Sequence, residues 1–315
     1  MTSPRLADLV VDYVDLRRRM GFDLANARWQ LLKFARYADA TGHAGPLTID
    51  LAVRWAQATD SRDPCAPARR LAFVRQFARH RAAFDPATEV PPAGLLGPTQ
   101  VRKPPHIYSD DEVAALLHET ALLDPPGGLR PRTLVALFAL LASTGMRVSE
   151  VCHLAHGDVD LDGGVLVVRE SKFRKSRLVP VHPTTVAALA RYAAERDRIR
   201  RRSEYFFRTD RTGRVTRSRV VKTFIVLRGR LGWRADGRAR LPRVHDLRHT
   251  FVVRRLLRWY EEGADVHRKI LALATYLGHA KVSHTYWYLS AIPELLAVTS
   301  RRFERFAHHE EESAS

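Results

Sequence analysis

Four side chains near the carboxyl end of the sequence have the types and spacing of a reactive site: His245, Arg248, His279 and Tyr288. A tyrosine hydroxyl has a pKa near 10, so at neutral pH only about one in a thousand is ionised, and the phenolate lies roughly 4 kcal/mol uphill. His245 can accept a proton at this pH, and a neighbouring arginine lowers the cost of the anion. Each of the four stands at the edge of an apolar helical pattern, which favours a site over a core.

Two predicted helices carry these side chains to a common point. His245 and Arg248 are three residues apart, so they face the same way on one helical turn. Apolar residues recur behind them at helical spacing until Gly263. A second helix over about 265–276 stops at the sequence LGH, which contains His279.

The motif HDLRH, followed by LGHA and by a tyrosine nine positions beyond His279, resembles the tyrosine recombinases, the phage-integrase family. Two further parts of that family's pattern lie upstream. The sequence TGMRVSE places Arg147 after a buried-looking helix, where the family carries its first catalytic arginine. The run VLVVRESKFRKSRLVPVH resembles the family's β-hairpin, with Lys172 at the position of its lysine. Six positions in the expected order make the resemblance specific, whereas any one triplet would be weak.

The resemblance implies a transesterification on DNA. Tyr288 would attack a phosphodiester and form a 3′-phosphotyrosyl bond, while Arg147 and Arg248 bind the two non-bridging oxygens on which negative charge accumulates. His279 would hydrogen-bond the phosphate or the nucleophile. Because the covalent bond conserves the phosphodiester energy, an incoming 5′-hydroxyl reverses the attack without ATP. No metal or other cofactor is expected.

The same resemblance assigns supporting roles. Lys172 would deliver a proton to the departing 5′-oxygen, and Lys175, on the same basic hairpin tip, competes for that role. Glu150 lies three positions after Arg147, and we interpret it as the acid that orients this arginine or its loop. Glu150 and His153 also form an E-x-x-H pair, but a single such pair is poor evidence for a metal site.

Each residue also has an interpretation without catalysis. A histidine after a glycine, as at His279, is commonly a helix cap, and a helical tyrosine such as Tyr288 is commonly half-buried core. Arg248 facing a carboxylate would be structural. Spacing, order and basicity together favour an enzyme, a site-specific recombinase or integrase that serves integration, excision or transposition of a mobile element. The rival functions are a catalytically silent, sequence-specific DNA-binding accessory protein and a topoisomerase-like strand-relaxing enzyme.

Composition points to a polyanionic partner. Lysine and arginine number 52 against 34 acidic residues in a chain of 315, a formal net charge of +18. No apolar run is long enough to span a bilayer, so double-stranded DNA is favoured over a membrane, with a merely solvated basic surface as the alternative. The amino terminus lacks a signal-peptide pattern, which predicts a cytoplasmic, nucleoid-associated protein. Cys65 and Cys152 support neither a disulfide framework nor a metal site.

The chain is predicted to be mainly α-helical with a small antiparallel β-sheet. Amphipathic helices over 1–88 predict a compact helical domain, which the resemblance identifies as a SAM-like DNA-binding domain. Proline and glycine dominate 89–106, a predicted linker. The resemblance implies that residues 107–309 form an α+β tyrosine-recombinase catalytic domain, and residues 310–315 are predicted to be an acidic tail.

Basic side chains in both domains are predicted to hold DNA phosphates on opposite sides of a duplex. A run of arginines repels itself unless an anion lies across it, and the run 198–219 and the face around 69–81 are of this kind. The apolar helix predicted at 293–306 would dock on a neighbouring protomer in a homotetramer on two DNA sites, with accessory or sister recombinases as further partners. The candidate DNA-binding residues are Arg69, Arg70, Arg75, Arg79, Arg174, Arg201, Arg202, Arg217 and Arg219.

Overall fold

The computed structural model describes residues 5–101, 103–169, 176–199, 203–209, 213–235, 240–279 and 281–291. The chain divides into two units, Met1–Arg102 and Lys103–Ser315. The architecture is mainly helical with a three-stranded antiparallel sheet, which confirms the predicted fold class. In the parts that the structure describes, no helix is both long and apolar enough to cross a membrane.

The described part of the first unit is a bundle of helices. They are α1 (Leu6–Arg19), α2 (Ala25–Ala40), α3 (Ile49–Gln57) and α4 (Ala66–Arg81). Each buries one apolar face against the others, with Phe34, Trp55 and Phe77 in the shared core. Helix α3 begins after Thr48, whose hydroxyl accepts a hydrogen bond from the N–H of Leu51 and satisfies a donor that the helix leaves free.

The first half of the predicted linker belongs to this helical unit. Val90 and Leu96 pack against its core. The N–H of Glu89 donates to the carbonyl of Leu47 at 2.8 Å, and the Glu89 carboxylate accepts from the N–H of Ile49 at 2.7 Å. The unit therefore extends beyond the predicted boundary at residue 88, because a proline-rich segment can pack without forming a helix.

The second unit holds the sheet and the remaining described helices. The strands β1 (Val159–Asp160), β2 (Val165–Val168) and β3 (Arg177–Pro180) pair antiparallel in that order, and Val168 lies opposite Arg177. A short 3-10 helix, His156–Asp158, precedes them. The helices are α5 (Asp110–Ala121), α6 (Leu129–Thr144), α7 (Val148–His153), α8 (Pro183–Asp197), α9 (Arg217–Arg230), α10 (Asp246–Glu261), α11 (Val266–Leu277) and α12 (Ser283–Ala291).

A close contact between α6 and α10 positions the start of α7. Helix α6 is buried on most of its surface, as expected of an interior helix, and it ends at Gly145 with φ +63°. A Cβ at this position would lie 2.7 Å from Cδ1 of Phe251 on α10, so glycine serves both the left-handed turn and the close packing. Arg147 follows two residues later, as the N-cap of α7.

Helices α10, α11 and α12 share an apolar cluster. Val252 and Leu256 of α10 pack with Leu273 and Leu277 of α11 and with Tyr288 of α12. The three helices that carry the predicted site residues are thus fixed to one another by burial of apolar side chains.

We predict that Gly145→Ala destabilises the protein more than Gly232→Ala. Both glycines have left-handed φ, +63° and +67°, but a Cβ at 232 meets nothing within 4 Å. Each substitution carries a left-handed cost of about 1–2 kcal/mol, and Gly145→Ala adds an overpacking cost of roughly 1–3 kcal/mol against Phe251. Urea denaturation of the two variants measures the difference. Equal losses would show that the contact with Phe251 is not tight.

Candidate active site

Arg147 is held by one carboxylate and one helix terminus. Its backbone is extended (φ −75°, ψ 143°), and its N–H donates to Oε2 of Glu150 at 3.0 Å. The guanidinium donates from Nη1 to Oε1 of Glu150 at 2.7 Å and from Nη2 to the carbonyl of Gly278 at 2.8 Å. The side chain stays partly exposed, at 23%.

Arg248 lies deeper in the same site. It is 3% exposed and donates from Nη1 to the carbonyl of Gly145 and from Nη2 to that of Leu277, both at 2.8 Å. Burial, and then the nearby charge of Arg147, lowers the pKa of Arg248 to about 10. It still carries its charge at neutral pH, so the site contains a desolvated cation.

Arg177, the first residue of β3, is a third arginine in the site. Its Nε donates to the carbonyl of Tyr276 at 2.7 Å, and Nη1 and Nη2 donate to the two oxygens of Glu150 at 3.0 and 2.8 Å. Arg177 lies within the run VLVVRESKFRKSRLVPVH, and no role was predicted for it. The strand alternation contains a signal, because Val179 is buried and Leu178 is 64% exposed, so Arg177 points inward with Val179.

We call Arg147, Arg177, Arg248 and Glu150 the arginine cluster. Its three guanidiniums donate to three consecutive carbonyls, those of residues 276–278 at the carboxyl end of α11. A helix leaves these carbonyls without partners, and the helix dipole makes this end attractive to cations.

Gly278 allows one of these arginines to approach the helix terminus closely. Its φ is +66°, and a Cβ there would lie 2.8 Å from Nη1 of Arg177. Any side chain at this position would push Arg177 away from its carbonyl partner on Tyr276. The sequence LGH at the end of α11 is therefore a packing requirement of the cluster as well as a helix stop signal.

Glu150 is the carboxylate within the cluster. It is buried, which by itself raises its pKa, but the hydrogen bonds and charge of Arg177, followed by those of Arg147, outweigh burial and lower the pKa from 4.5 to about 2. Glu150 thus offsets one of three like charges, and the cluster keeps a positive balance.

Tyr288 is buried at the edge of this cluster. It is 3% exposed on α12, and its hydroxyl lies 2.7 Å from Nδ1 of His249. Burial raises the pKa of Tyr288 to about 12, although the charge of Arg248 acts in the opposite direction. Tyr286, two residues earlier on the same helix, is 41% exposed with its ring 6.3 Å from His267.

Two histidines one helical turn apart border the tyrosine. His245 caps α10 with part of its ring in solvent, and its ring centroid lies 5.0 Å from that of His249. Surrounding protein atoms and neighbouring positive charges lower the pKa of each to about 4. His249 is the last residue of the motif HDLRH, and no role was predicted for it. The i, i+4 spacing from His245 is the signal that places both on one helix face.

His279 links the end of α11 to α12. Its Nδ1 lies 2.7 Å from Oγ1 of Thr285, and its N–H donates to the carbonyl of Ala274 at 2.9 Å. Burial, then the charges of Arg248 and Arg147, lowers the pKa of His279 to about 3. The ring is neutral at physiological pH and lies within the field of both arginines.

The structure thus brings together Arg147, Glu150, Arg248, His279 and Tyr288, with His245 alongside. Lys172 and Lys175, predicted at the hairpin tip, lie outside the described residues, as does Arg174. Within the described ranges, no three His, Cys, Asp or Glu side chains are grouped as metal ligands, and Cys65 and Cys152 are buried free thiols.

The candidate DNA-binding arginines of the first unit have different surroundings. Arg69 is exposed and pairs with Asp63 at 2.7 Å, whereas Arg70 lies 4.2 Å over the Trp55 ring and donates to the carbonyl of Ala58. The other two are Arg75, which is half-buried, and Arg79, which is exposed.

The basic run 198–219 is only partly a surface feature. Arg217 and Arg219 are exposed at the start of α9, while Arg201 and Arg202 lie outside the described residues. Arg208 is buried and donates to the carbonyls of Arg196 and Ile199, so it contributes to the fold. The interpretation of the whole run as a DNA-facing surface is wrong for Arg208, because charge counts alone do not show which arginines bond to the backbone.

Known proteins are similar to this chain in sequence. Residues 108–294 match the phage integrase family. The putative integrase/recombinase y4rB of Sinorhizobium fredii is 40% identical over 306 residues, covering 94% of this chain and 96% of that protein. The tyrosine recombinase XerA of Thermococcus kodakarensis is 33% identical over 223 residues, covering 71% of this chain and 70% of the relative.

Solved structures match at low sequence identity. The Tn1549 transposon integrase in complex with transposon right end DNA has a TM-score of 0.63 at 16% identity, covering 96% of this chain and 100% of that one. A lambda integrase tetramer bound to a Holliday junction has a TM-score of 0.61 at 16% identity, covering 89% and 78%. These matches show a shared fold.

We predict that Glu150→Gln removes a stabilising charge whose effect depends on pH. The lowered pKa means that ionised Glu150 stabilises the folded state above about pH 4.5 and that this contribution is lost as pH falls to about 2. Wild type should exceed the variant by about 3 kcal/mol in free energy of unfolding above pH 4.5. The difference should shrink toward zero near pH 2, as measured by urea denaturation at a series of pH values.

Glu262→Gln is the matched control. Glu262 pairs with Arg258 at 2.7 Å on the surface, with the side chains 48% and 67% exposed, and such pairs contribute little. A difference between wild type and Glu150→Gln that stays constant with pH would mean that Glu150 acts through shape rather than charge.

Proposed function

This chain belongs to the phage integrase family of tyrosine recombinases, and we propose that Tyr288 cuts and rejoins DNA strands at specific sites through a 3′-phosphotyrosyl intermediate. The observation that carries the proposal is the position of the Tyr288 hydroxyl, hydrogen-bonded to His249 and within the field of Arg248. The hydroxyl is a nucleophile beside a cluster whose positive charge suits a phosphodiester.

The arginines supply the phosphate site. A guanidinium has five N–H donors, and the described bonds of Arg147 and of Arg248 use two side-chain nitrogens each. Donors therefore remain for the non-bridging oxygens, on guanidiniums whose orientation is already fixed. Loss of one such preorganised donor typically slows a reaction about a hundred- to a thousandfold.

The nucleophile is kept neutral until a phosphate binds. With a pKa of about 12, the Tyr288 phenolate lies about 7 kcal/mol uphill at pH 7. Free protein therefore does not expose a reactive anion to water. As the oxygen begins to bond to phosphorus its proton becomes acidic, and the proton can leave during the attack.

The remaining roles are proposed from the resemblance to the family. Lys172 delivers the proton to the departing 5′-oxygen, with Lys175 as its competitor on the same hairpin. His279, neutral and next to both arginines, hydrogen-bonds the phosphate. The two arginines provide the positive charge that metal ions provide in many nucleases, so the proposed reaction uses no cofactor.

The biological setting is proposed from the relatives. A relative is a putative integrase/recombinase, and a protein of the same fold is a transposon integrase in complex with transposon end DNA. We assign this chain to integration, excision or transposition of a mobile element. A lambda integrase of the same fold was solved as a tetramer on a Holliday junction, and a homotetramer on two DNA sites, bridged by residues 293–306, is the assembly to test.

We predict that Tyr288→Phe binds target DNA as wild type does and forms no covalent adduct. The variant loses only the hydroxyl, so the arginine cluster stays in place. Tyr286→Phe is the matched control, because Tyr286 is exposed on the same helix and should be dispensable for cleavage. The measurement is denaturing-gel detection of protein trapped on a nicked suicide duplex, with peptide mapping of the adduct.

The outcomes separate the alternatives. An adduct that maps to Tyr286 would contradict the assignment of the nucleophile. Wild-type protein that binds its site without forming an adduct would be an accessory DNA-binding protein. An enzyme that forms the adduct and relaxes supercoils but never exchanges strands between two marked duplexes would be a topoisomerase-like enzyme.

We also predict that Arg217→Ala and Arg219→Ala weaken DNA binding chiefly at low salt. Each phosphate contact contributes about 0.9 to the slope of log affinity against log salt concentration, so each variant should lower that slope by about one. Arg54→Ala, which removes an exposed arginine paired with Asp50, is the control and should leave the slope unchanged. Fluorescence anisotropy over a salt series makes the comparison. An unaltered slope in both test variants would remove this part of α9 from the DNA interface.

A further inference from the structure

We propose that His249 is a catalytic residue that takes the proton of the Tyr288 hydroxyl as this oxygen attacks the DNA phosphate. The proposal rests on the proposed function and assigns to His249 the base role that sequence analysis gave to His245.

The hydrogen bond between the two side chains is the first argument. The Tyr288 oxygen lies 2.7 Å from Nδ1 of His249, within the usual range for a hydrogen bond from a hydroxyl, and the ring centroids are 5.5 Å apart. A phenol is a better donor than an imidazole N–H, so we assign the tyrosine as donor and Nδ1 as acceptor. His249 then carries its proton on Nε2, and its acceptor nitrogen faces the atom that reacts.

His245 occupies a different place. It lies one turn earlier, at the helix terminus and partly in solvent, and contacts His249 ring to ring. The described hydrogen bond of the Tyr288 hydroxyl is to His249. A base must lie within hydrogen-bond reach of the proton that it removes, and His249 meets this requirement before any DNA is bound.

The surrounding charges keep His249 ready to accept. Burial, followed by the charges of Arg243, Arg248 and Arg240, lowers its pKa to about 4, so the ring is neutral at physiological pH. The groups that face it are these arginines, His245 on its own helix, and Tyr288 and Trp287 on α12. A bound phosphate adds negative charge against the arginines, which raises the proton affinity of His249 when a substrate is present.

The step balances as a single transfer. The Tyr288 oxygen forms a bond to phosphorus while its proton moves to Nδ1 of His249, which becomes an imidazolium. The bond between phosphorus and the 5′-oxygen breaks, its electron pair stays on that oxygen, and the oxygen takes a proton from an acid on the hairpin. In the rejoining step the incoming 5′-hydroxyl gives its proton back to the same hairpin group as its oxygen bonds to phosphorus. The bond between phosphorus and the Tyr288 oxygen breaks, and the imidazolium returns its proton to that oxygen.

The test is single-turnover cleavage of a nicked suicide duplex by His249→Asn. Asparagine places an amide oxygen near the position of Nδ1 but cannot take up a proton at these pH values. Cleavage should slow by about a hundred- to ten-thousand-fold, with DNA affinity unchanged. His267→Asn is the matched control, because His267 is exposed on α11. This variant should cleave at the wild-type rate.

A substrate with sulfur at the departing 5′ position separates a base from an acid. A 5′-thiolate leaves without a proton, so sulfur rescues a variant that lacks the acid and does not rescue one that lacks the base. His249→Asn should stay slow on both substrates. Cleavage within threefold of wild type, or full rescue by sulfur, would overturn the proposal.

Two readouts on wild-type protein complete the test. Nitrogen-15 NMR of the histidines should show His249 protonated on Nε2 and accepting at Nδ1, and a proton on Nδ1 would contradict the assignment. If wild type itself forms no adduct, the proposed function falls and this proposal with it. If wild type cleaves and His249→Asn cleaves at the same rate, only the proposed role of His249 is contradicted.

Discussion

The attachment of three arginines to the last carbonyls of α11 is the interaction on which this site depends. Two like charges 4 Å apart repel by about 4 kcal/mol at an effective dielectric constant of 20, so Arg147, Arg177 and Arg248 would separate without compensation. Glu150 offsets one charge, and the carbonyls of 276–278 supply the negative end of a helix dipole. The cluster keeps a positive balance, and we propose that a phosphate completes it.

The same interaction connects separate parts of the chain. Arg147 comes from the turn after α6, Arg177 from the first position of β3, and Arg248 from α10, and all of them meet at α11. The first residue of β3, Arg177, and Arg147 therefore share one carboxylate, that of Glu150. The neighbouring histidines have low pKa values in this field, so they are neutral while the arginines carry the charge. His249 and His279 are hydrogen-bonded to Tyr288 and Thr285.

The helices and the order of the motif could be predicted from the sequence, because apolar periodicity and the stop at LGH report local structure directly. The roles of Arg177 and His249 could not, because they depend on the direction in which a side chain points. Arg177 points inward from a strand, and His249 points toward a tyrosine 39 residues away. Arg208 was predicted to lie on a DNA-facing surface and residues 89–106 to form a linker, yet Arg208 is buried and Val90 and Leu96 pack against the core of the first unit. Burial of an arginine or of a proline-rich segment depends on tertiary packing, which composition does not show. Charge and composition alone do not show which residues are buried in the folded protein.

The most direct test of the central claim is a crystal structure of Tyr288→Phe bound to a duplex selected for tight binding, with the distances around one phosphate measured. The account predicts that N–H donors of Arg147 and Arg248 lie about 3 Å from the two non-bridging oxygens of a single phosphate. It also predicts that their bonds to the carbonyls of Gly278 and Leu277 persist. Arginines that leave α11 to reach the DNA, or a phosphate bound away from both, would contradict a preorganised site.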